Sequence, residues 1–246
     1  MRISLQGVSK KYGKVHALKS VDLTFEPGQV IALVGINGAG KTTLLRALAG
    51  LIVPGAGEIR FDDEKFFRGN LALRKKLAFL PDFPVTFANL TVLKHIAMVL
   101  RLYGADGPEI QPRVMELLRQ LDLMPLIDTR VIQLSRGQMY KTALAAFMAA
   151  DPELWLLDEP FASGMDPNGI SFFKHEARAA AARGRTVIYS TQILDIAEVL
   201  SDRLCVIDHG EVRHYGPLGE LQGVAAGQSG ASVLEQLFQQ LREAKS

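Results

Sequence analysis

The stretch Val30-Ile31-Ala32-Leu33-Val34-Gly35-Ile36-Asn37-Gly38-Ala39-Gly40-Lys41-Thr42-Thr43 decides how the chain is read. Its first five residues are apolar without a break, the pattern of a strand covered on both faces in a parallel sheet. Gly35 to Thr42 then matches the spacing G-x-x-x-x-G-K-[ST], and a helix is expected to start near Thr42. A loop set between strand and helix in this way grips phosphate. Its glycines let backbone N–H groups curl around phosphate oxygens without Cβ atoms in the way, and the helix N-terminus adds partial positive charge. Lys41 is placed to reach the β and γ phosphates of a nucleoside triphosphate, and the Thr42 hydroxyl to ligate Mg²⁺. Asn37, Gly38, Ala39, Gly40 and Thr43 belong to the same nucleotide-binding cradle.

The flanking sequence supports an α/β fold with a mostly parallel sheet. Leu77–Leu80, Leu154–Leu157 and residues 187–189 repeat the uninterrupted apolar pattern, each beside a helix-like segment. Val21, Leu23 and Phe25 instead alternate with Asp22 and Thr24, a half-buried strand closed by the turn Glu26-Pro27-Gly28. Between Pro84 and Ala150 the period becomes helical over residues 92–102, 110–121 and 137–150, so a helical insert interrupts the sheet. After Asp208-His209-Gly210 a short hairpin is expected to end near Gly216-Pro217. Residues 223–230 read as a glycine-rich linker, and Leu234, Leu237, Phe238 and Leu241 fall on one face of a C-terminal docking helix.

Composition narrows the function classes. With 246 residues, 48% of them hydrophobic, the chain can bury a core without a metal or disulfide. Lys plus Arg number 28 against 26 Asp plus Glu, and the longest basic run is Arg74-Lys75-Lys76, so the clustered basic face of a nucleic-acid binder is not expected. Cys205 is the single cysteine and sits in an apolar run, which suits a core thiol in a reducing compartment. The five histidines, at 16, 95, 175, 209 and 214, lack the spacing of a zinc site. No apolar run approaches the ~18 residues needed to cross a bilayer, and residues 1–11 lack the apolar segment of a secretory leader. Residence in the cytoplasm is expected, with any membrane role exerted through a partner.

Two further segments carry chemistry. At Leu154-Trp155-Leu156-Leu157-Asp158-Glu159 an apolar strand delivers two carboxylates to its C-terminal end, where ligands of open α/β sheets bind. Following a phosphate loop, Asp158 reads as the Mg²⁺ ligand and Glu159 as the general base for an attacking water. Leu134-Ser135-Arg136-Gly137-Gln138 stands at the start of a helix, with a hydroxyl and a glycine N–H placed to hold an anion. One phosphate loop already satisfies one triphosphate, so a second anion site makes sense if it serves a nucleotide held by another copy of the chain. The alternative for Ser135 is an ordinary helix cap.

These motifs, in this order, resemble the nucleotide-binding subunit of an ATP-binding cassette (ABC) transporter, over roughly residues 3–222. The resemblance implies a P-loop NTPase core with an N-terminal antiparallel β subdomain, together residues 1–83 and 148–222, and a helical subdomain at residues 84–147. Residues 223–246 would follow as linker and helix. It implies ATP and Mg²⁺ as ligands, and Ser135, Arg136, Gly137 and Gln138 as the signature facing the partner's ATP. Asp166, in Ser163-Gly164-Met165-Asp166, would couple the two sites of a dimer that is expected to be homomeric. Tyr12 would stack on adenine, although by itself it reads equally as a strand residue beside a turn.

Three positions depart from the family. Asp82 stands where a glutamine usually touches Mg²⁺, the water and the transport partner. An aspartate can still ligate Mg²⁺, but it donates no hydrogen bond and adds negative charge near the γ-phosphate. Gln192 stands where a histidine usually contacts that phosphate; it can donate an N–H but cannot carry a proton, so slow hydrolysis is expected with Gln192 in a catalytic role. Arg136 replaces a glycine, its guanidinium either turned to solvent or adding charge near the bound phosphate. The implied activity is an ATPase that dimerises on ATP and powers a separate integral-membrane subunit, at the cytoplasmic face of the membrane. The alternative is a nucleotide-gated, hydrolysis-poor regulatory module.

Overall fold

The computed structural model describes residues 1–162, 166–217 and 220. The expected C-terminal linker and helix lie outside the described residues, as do Ser163, Gly164 and Met165 of the segment leading to Asp166.

Two sheets organise the described residues. The larger has six strands in the order β10-β9-β3-β8-β7-β6, where β3 is Val30–Val34, β6 Leu77–Leu80, β7 Leu154–Leu157, β8 Thr186–Thr191, β9 Arg203–Asp208 and β10 Glu211–Pro217. All pairings are parallel except β9 with β10, which form the expected hairpin at one edge. The smaller sheet is antiparallel, in the order β2-β1-β4-β5, with β1 Ile3–Tyr12, β2 Val15–Phe25, β4 Ala56–Phe61 and β5 Glu64–Lys65. Both sheets agree with the architecture expected from sequence. The parallel set is larger by one strand, β9, whose residues Leu204 to Ile207 are as buried as those of β3. From sequence alone that run is expected only to hold a core thiol, and Cys205 is fully buried there, its pKa pushed up by desolvation.

Among the described residues seven α-helices pack on this frame: α1 Lys41–Leu48, α2 Leu71–Lys75, α3 Val92–Tyr103, α4 Gln111–Gln120, α5 Arg136–Ala150, α6 Pro167–Ala182 and α7 Leu194–Leu200. The capping residues explain several boundaries. Thr91 accepts the N–H of Lys94 at the start of α3, and Gly104 closes it in the left-handed conformation that glycine adopts without strain. Asp166 accepts the N–H of Gly169 at the start of α6. Helices α3, α4 and α5 form the insert expected between two strands of the large sheet, and α5 runs unbroken through residue 147 to the foot of β7.

The sheet divides two cores. Val30, Ala32 and Val34 of β3 face a core shared with α3 to α6, in which Trp155, Tyr140 and Phe147 are buried. Ile31 and Leu33 face the other way, towards α1, Phe25 and Phe61 of the small sheet. A parallel strand covered on both sides therefore needs apolar residues at every position, which is the pattern its sequence shows. Among the described residues no helix is long and apolar enough to cross a membrane.

Candidate functional site

The loop between β3 and α1 wraps a cavity of about 320 Å³. Its shape depends on two glycines. A Cβ on Gly35 would stand 2.4 Å from the Ile207 carbonyl oxygen, and one on Gly40, whose φ is +117°, would stand 2.6 Å from that of Ala17. Gly40 is also the N-cap of α1 and offers no side chain to the helix N–H groups, unlike Thr91, Ser135 and Asp166 at α3, α5 and α6. The first turn of α1 is thus a set of donors facing the cavity, suited to phosphate oxygens.

Lys41 is buried beside it. Its Nζ donates to the Gly35 carbonyl at 2.7 Å and lies 3.3 Å from Glu159 Oε1. Thr42 Oγ1 donates to Asp158 Oδ1 at 3.0 Å, so a hydroxyl and a carboxylate oxygen stand side by side, a hard oxygen pair of the kind Mg²⁺ takes. The buried Ser190 Oγ donates to the same Asp158 Oδ1 at 2.7 Å and accepts the Glu159 N–H at 2.9 Å. That bond helps hold Glu159 at φ +47°, a conformation costly for a side-chain-bearing residue and frequent at functional sites. Gln192 Nε2 donates to Asn37 Oδ1 at 3.0 Å and to Glu159 Oε1 at 3.5 Å, tying the end of β8 to the loop. Asp82 completes the rim, its Oδ1 accepting the Phe83 N–H at 2.8 Å.

Asn37, Gly38, Ala39, Gly40, Lys41, Thr42, Thr43, Asp82, Asp158 and Glu159 are therefore brought together around one cavity, with the Gly35 carbonyl holding Lys41 and Gln192 bonded to two of them. Other candidates lie elsewhere. Tyr12 is half exposed at the hairpin between β1 and β2, under the Lys10 ammonium, and does not line the cavity; its cross-strand neighbour Val15 does. Ser135, Arg136, Gly137 and Gln138 also stand outside it. Ser135 and Gln138 close a reciprocal capping box, Gln138 N–H to Ser135 Oγ at 3.3 Å and Ser135 N–H to Gln138 Oε1 at 2.9 Å, while Arg136 is exposed. Ser135 is thus a helix cap in this chain, with its O–H still able to donate. Asp166 is ion-paired to Lys141 of α5, and this bond, before that from the Gly169 N–H, holds its carboxyl below the usual range.

Ser190, Lys141, Val15 and Arg46 escaped sequence reasoning. Arg46 lies one turn after Thr42 on α1 and carried a legible signal in that spacing. Ser190 and Lys141 act through partners 25 or more residues away, which no local pattern announces.

A wider groove of about 840 Å³ opens on the far side of Asp82. Phe83, Val85 and Phe87 expose apolar surface along it, and the Phe87 N–H donates to His95 Nδ1 at 3.3 Å. Burial lowers the His95 pKa, which keeps that nitrogen an acceptor.

Comparison with known proteins agrees with this geometry. A family model described as ABC transporter matches residues 18–162. The ABC-type transporter ATP-binding protein EcsA of Bacillus subtilis is 31% identical over 220 residues, 89% of this chain and 89% of that protein. A solved ATP binding subunit of an ABC transporter superposes with a TM-score of 0.90 at 28% identity, covering 98% of this chain and 100% of that one. The ATP-binding cassette MJ0796, solved as a dimer in a post-hydrolysis state bound to ADP and Pi, superposes with a TM-score of 0.75 at 26% identity, over 88% of this chain and 98% of that one. The chain belongs to the ABC transporter family, as one of its ATP-binding subunits.

Proposed function

We propose that the chain hydrolyses ATP between two copies of itself and thereby drives a separate membrane-spanning partner. The observation that carries this reading is the meeting of Lys41, Thr42, Asp158 and Glu159 at one cavity, from two distant segments of the chain. Lys41 and the first N–H groups of α1 hold the phosphates, and Thr42 and Asp158 would hold Mg²⁺, which would supply positive charge against the phosphates. Glu159 takes the proton from the attacking water, which adds to the γ-phosphorus as the bond to the β-phosphate oxygen breaks, giving ADP and phosphate. Entry of the γ-phosphate displaces Lys41 from Glu159, which frees the carboxylate to act as base. Gln192 donates to a phosphate oxygen without bringing charge, so turnover is slow.

The signature residues Ser135, Arg136, Gly137 and Gln138 serve the ATP of the second copy. Their place outside their own cavity supports this, since Ser135 caps α5 with an O–H still able to donate to an anion held by another copy. The dimeric state of MJ0796 supports it from a relative. Asp166 lies between the two sites, and Tyr12 stacks on the base at the hairpin. The membrane partner docks in the groove beside residues 83–89, whose exposed Phe83 and Val85 need an apolar cover. That contact keeps the chain at the cytoplasmic face of the membrane.

Phosphate release by the purified chain tests the reading. Glu159→Gln is expected to lose at least about 100-fold in turnover while keeping ATP affinity, and to dimerise at saturating Mg-ATP on size exclusion. Equal release by both proteins would overturn the ATPase. Asp82 and Gln192 favour a second reading, a nucleotide-gated module with negligible hydrolysis; wild-type release no faster than that of Glu159→Gln, with nucleotide-dependent dimers in both, would establish it.

A further inference from the structure

Ser190 puts a hydroxyl into the buried strand β8, opposite Leu33 of β3 in the parallel ladder, and none of it reaches solvent. A strand covered on both faces takes apolar residues, and a buried hydroxyl is costly unless it is bonded. Ser190 is bonded twice. Its Oγ donates to Asp158 Oδ1 at 2.7 Å and accepts the Glu159 N–H at 2.9 Å. One oxygen atom therefore joins the carboxylate that would hold Mg²⁺ to the backbone of the base.

The backbone of Glu159 is where such a contact has leverage. The β7 ladder ends with Leu157 beside Tyr189, and the Asp158 N–H donates to the Leu80 carbonyl at 2.8 Å. The chain then turns at Glu159, whose φ is +47° and whose carbonyl accepts the Ala162 N–H at 3.0 Å. A residue with a side chain leaves that left-handed conformation readily unless its surroundings over-determine it. In the nucleotide-free chain the Glu159 carboxylate is held by Lys41 at 3.3 Å and by Gln192 Nε2 at 3.5 Å. Lys41 is the group that turns to the phosphates, so its hold on Glu159 ends when nucleotide enters. Ser190 is not among the residues lining the cavity, and its two bonds lie behind the carboxylates, where nucleotide does not compete for them.

We propose that Ser190 is a positioning residue for hydrolysis. Its hydroxyl keeps Glu159 in the left-handed turn that directs the carboxylate into the cavity, and ties that turn to Asp158. The metal ligand and the base then keep one mutual geometry after Lys41 has moved to the phosphates. This rests on the ATPase reading above and adds to it a residue that touches neither nucleotide nor water.

Two measurements on the full chain test it: amide hydrogen exchange followed by NMR without nucleotide, and steady-state phosphate release with Mg-ATP. In Ser190→Ala the Glu159 amide is expected to exchange about tenfold faster, while the amides of β7 keep their wild-type rates. The kcat of this variant falls by about 10- to 100-fold, with KM for ATP unchanged. Ser190→Cys, with a thiol that donates and accepts only weakly, falls between the two proteins in both measurements. Wild-type kcat in Ser190→Ala overturns the proposal and leaves the ATPase reading standing. A lower kcat with the Glu159 amide exchanging at its wild-type rate, or with the β7 amides accelerated equally, also overturns it, because the serine then only packs the strand. A wild type that releases no phosphate overturns both readings. Should Ser190→Ala not fold, Ser190→Cys decides: slower turnover together with faster Glu159 exchange supports the role, and a wild-type value in either measurement overturns it.

Discussion

Gln192 shows how one side chain changes the chemistry available at a fixed place. It stands just past the end of β8 and donates both to Asn37 of the phosphate loop and to Glu159, so it ties the Glu159 side chain to that loop. An amide does this without charge. Gln192→His brings an imidazole that can carry charge to the γ-phosphate, and is expected to raise kcat by about tenfold with little change in nucleotide affinity. Phosphate-release assays on both proteins check it; a slower variant would show that the bond to Asn37 is what keeps Glu159 aimed. The residue itself was legible from its place after an apolar strand. Its bond to Asn37, 155 positions away, was not, because residues so far apart meet only when the sheet brings β3 and β8 together.

At the scale of the element, α5 makes two contacts that set its place: its capped tip at Ser135 and its side-chain bond from Lys141 to Asp166, the N-cap of α6. The helical period and the serine before it located this helix to within one residue of its N-terminus. The period could not supply the ion pair, which depends on how α6 starts beside it. Because the Lys141 bond and the Gly169 N–H hold the Asp166 carboxyl below the ordinary range, the fold favours the ionised form. That stabilisation is complete above the unfolded pKa of about 3.9 and drains away as pH falls through the lower folded value. Asp166→Ala is therefore expected to cost about 1 kcal/mol at pH 7, the usual value of an N-cap, and progressively less as the wild-type carboxyl is protonated. Urea unfolding of both proteins at pH 7 and near pH 3 measures the difference.

Across the whole molecule, the large sheet separates two cores while α5 joins the helical insert to the strand β7. An insert sharing a continuous helix and a core with the sheet should not melt alone. Leu156→Ala, at a fully buried position on the face away from the insert, is expected to cost about 2–5 kcal/mol. Far-UV and near-UV circular dichroism should still fall in one transition; a separate helical phase would show that the insert folds independently. What the sequence by itself determined is what local chemistry dictates: the phosphate loop, whose glycines and lysine act within eight residues, the buried strands, whose uninterrupted apolar runs need cover on both faces, and the helices, whose period and caps are short-range. What only the tertiary structure decided is which side chains from distant segments share a hydrogen bond. Ser190 reaches Asp158 and Glu159, Gln192 reaches Asn37, and Lys141 reaches Asp166. Such contacts follow from strand order and helix docking, which many sequences with the same local pattern could satisfy with other partners.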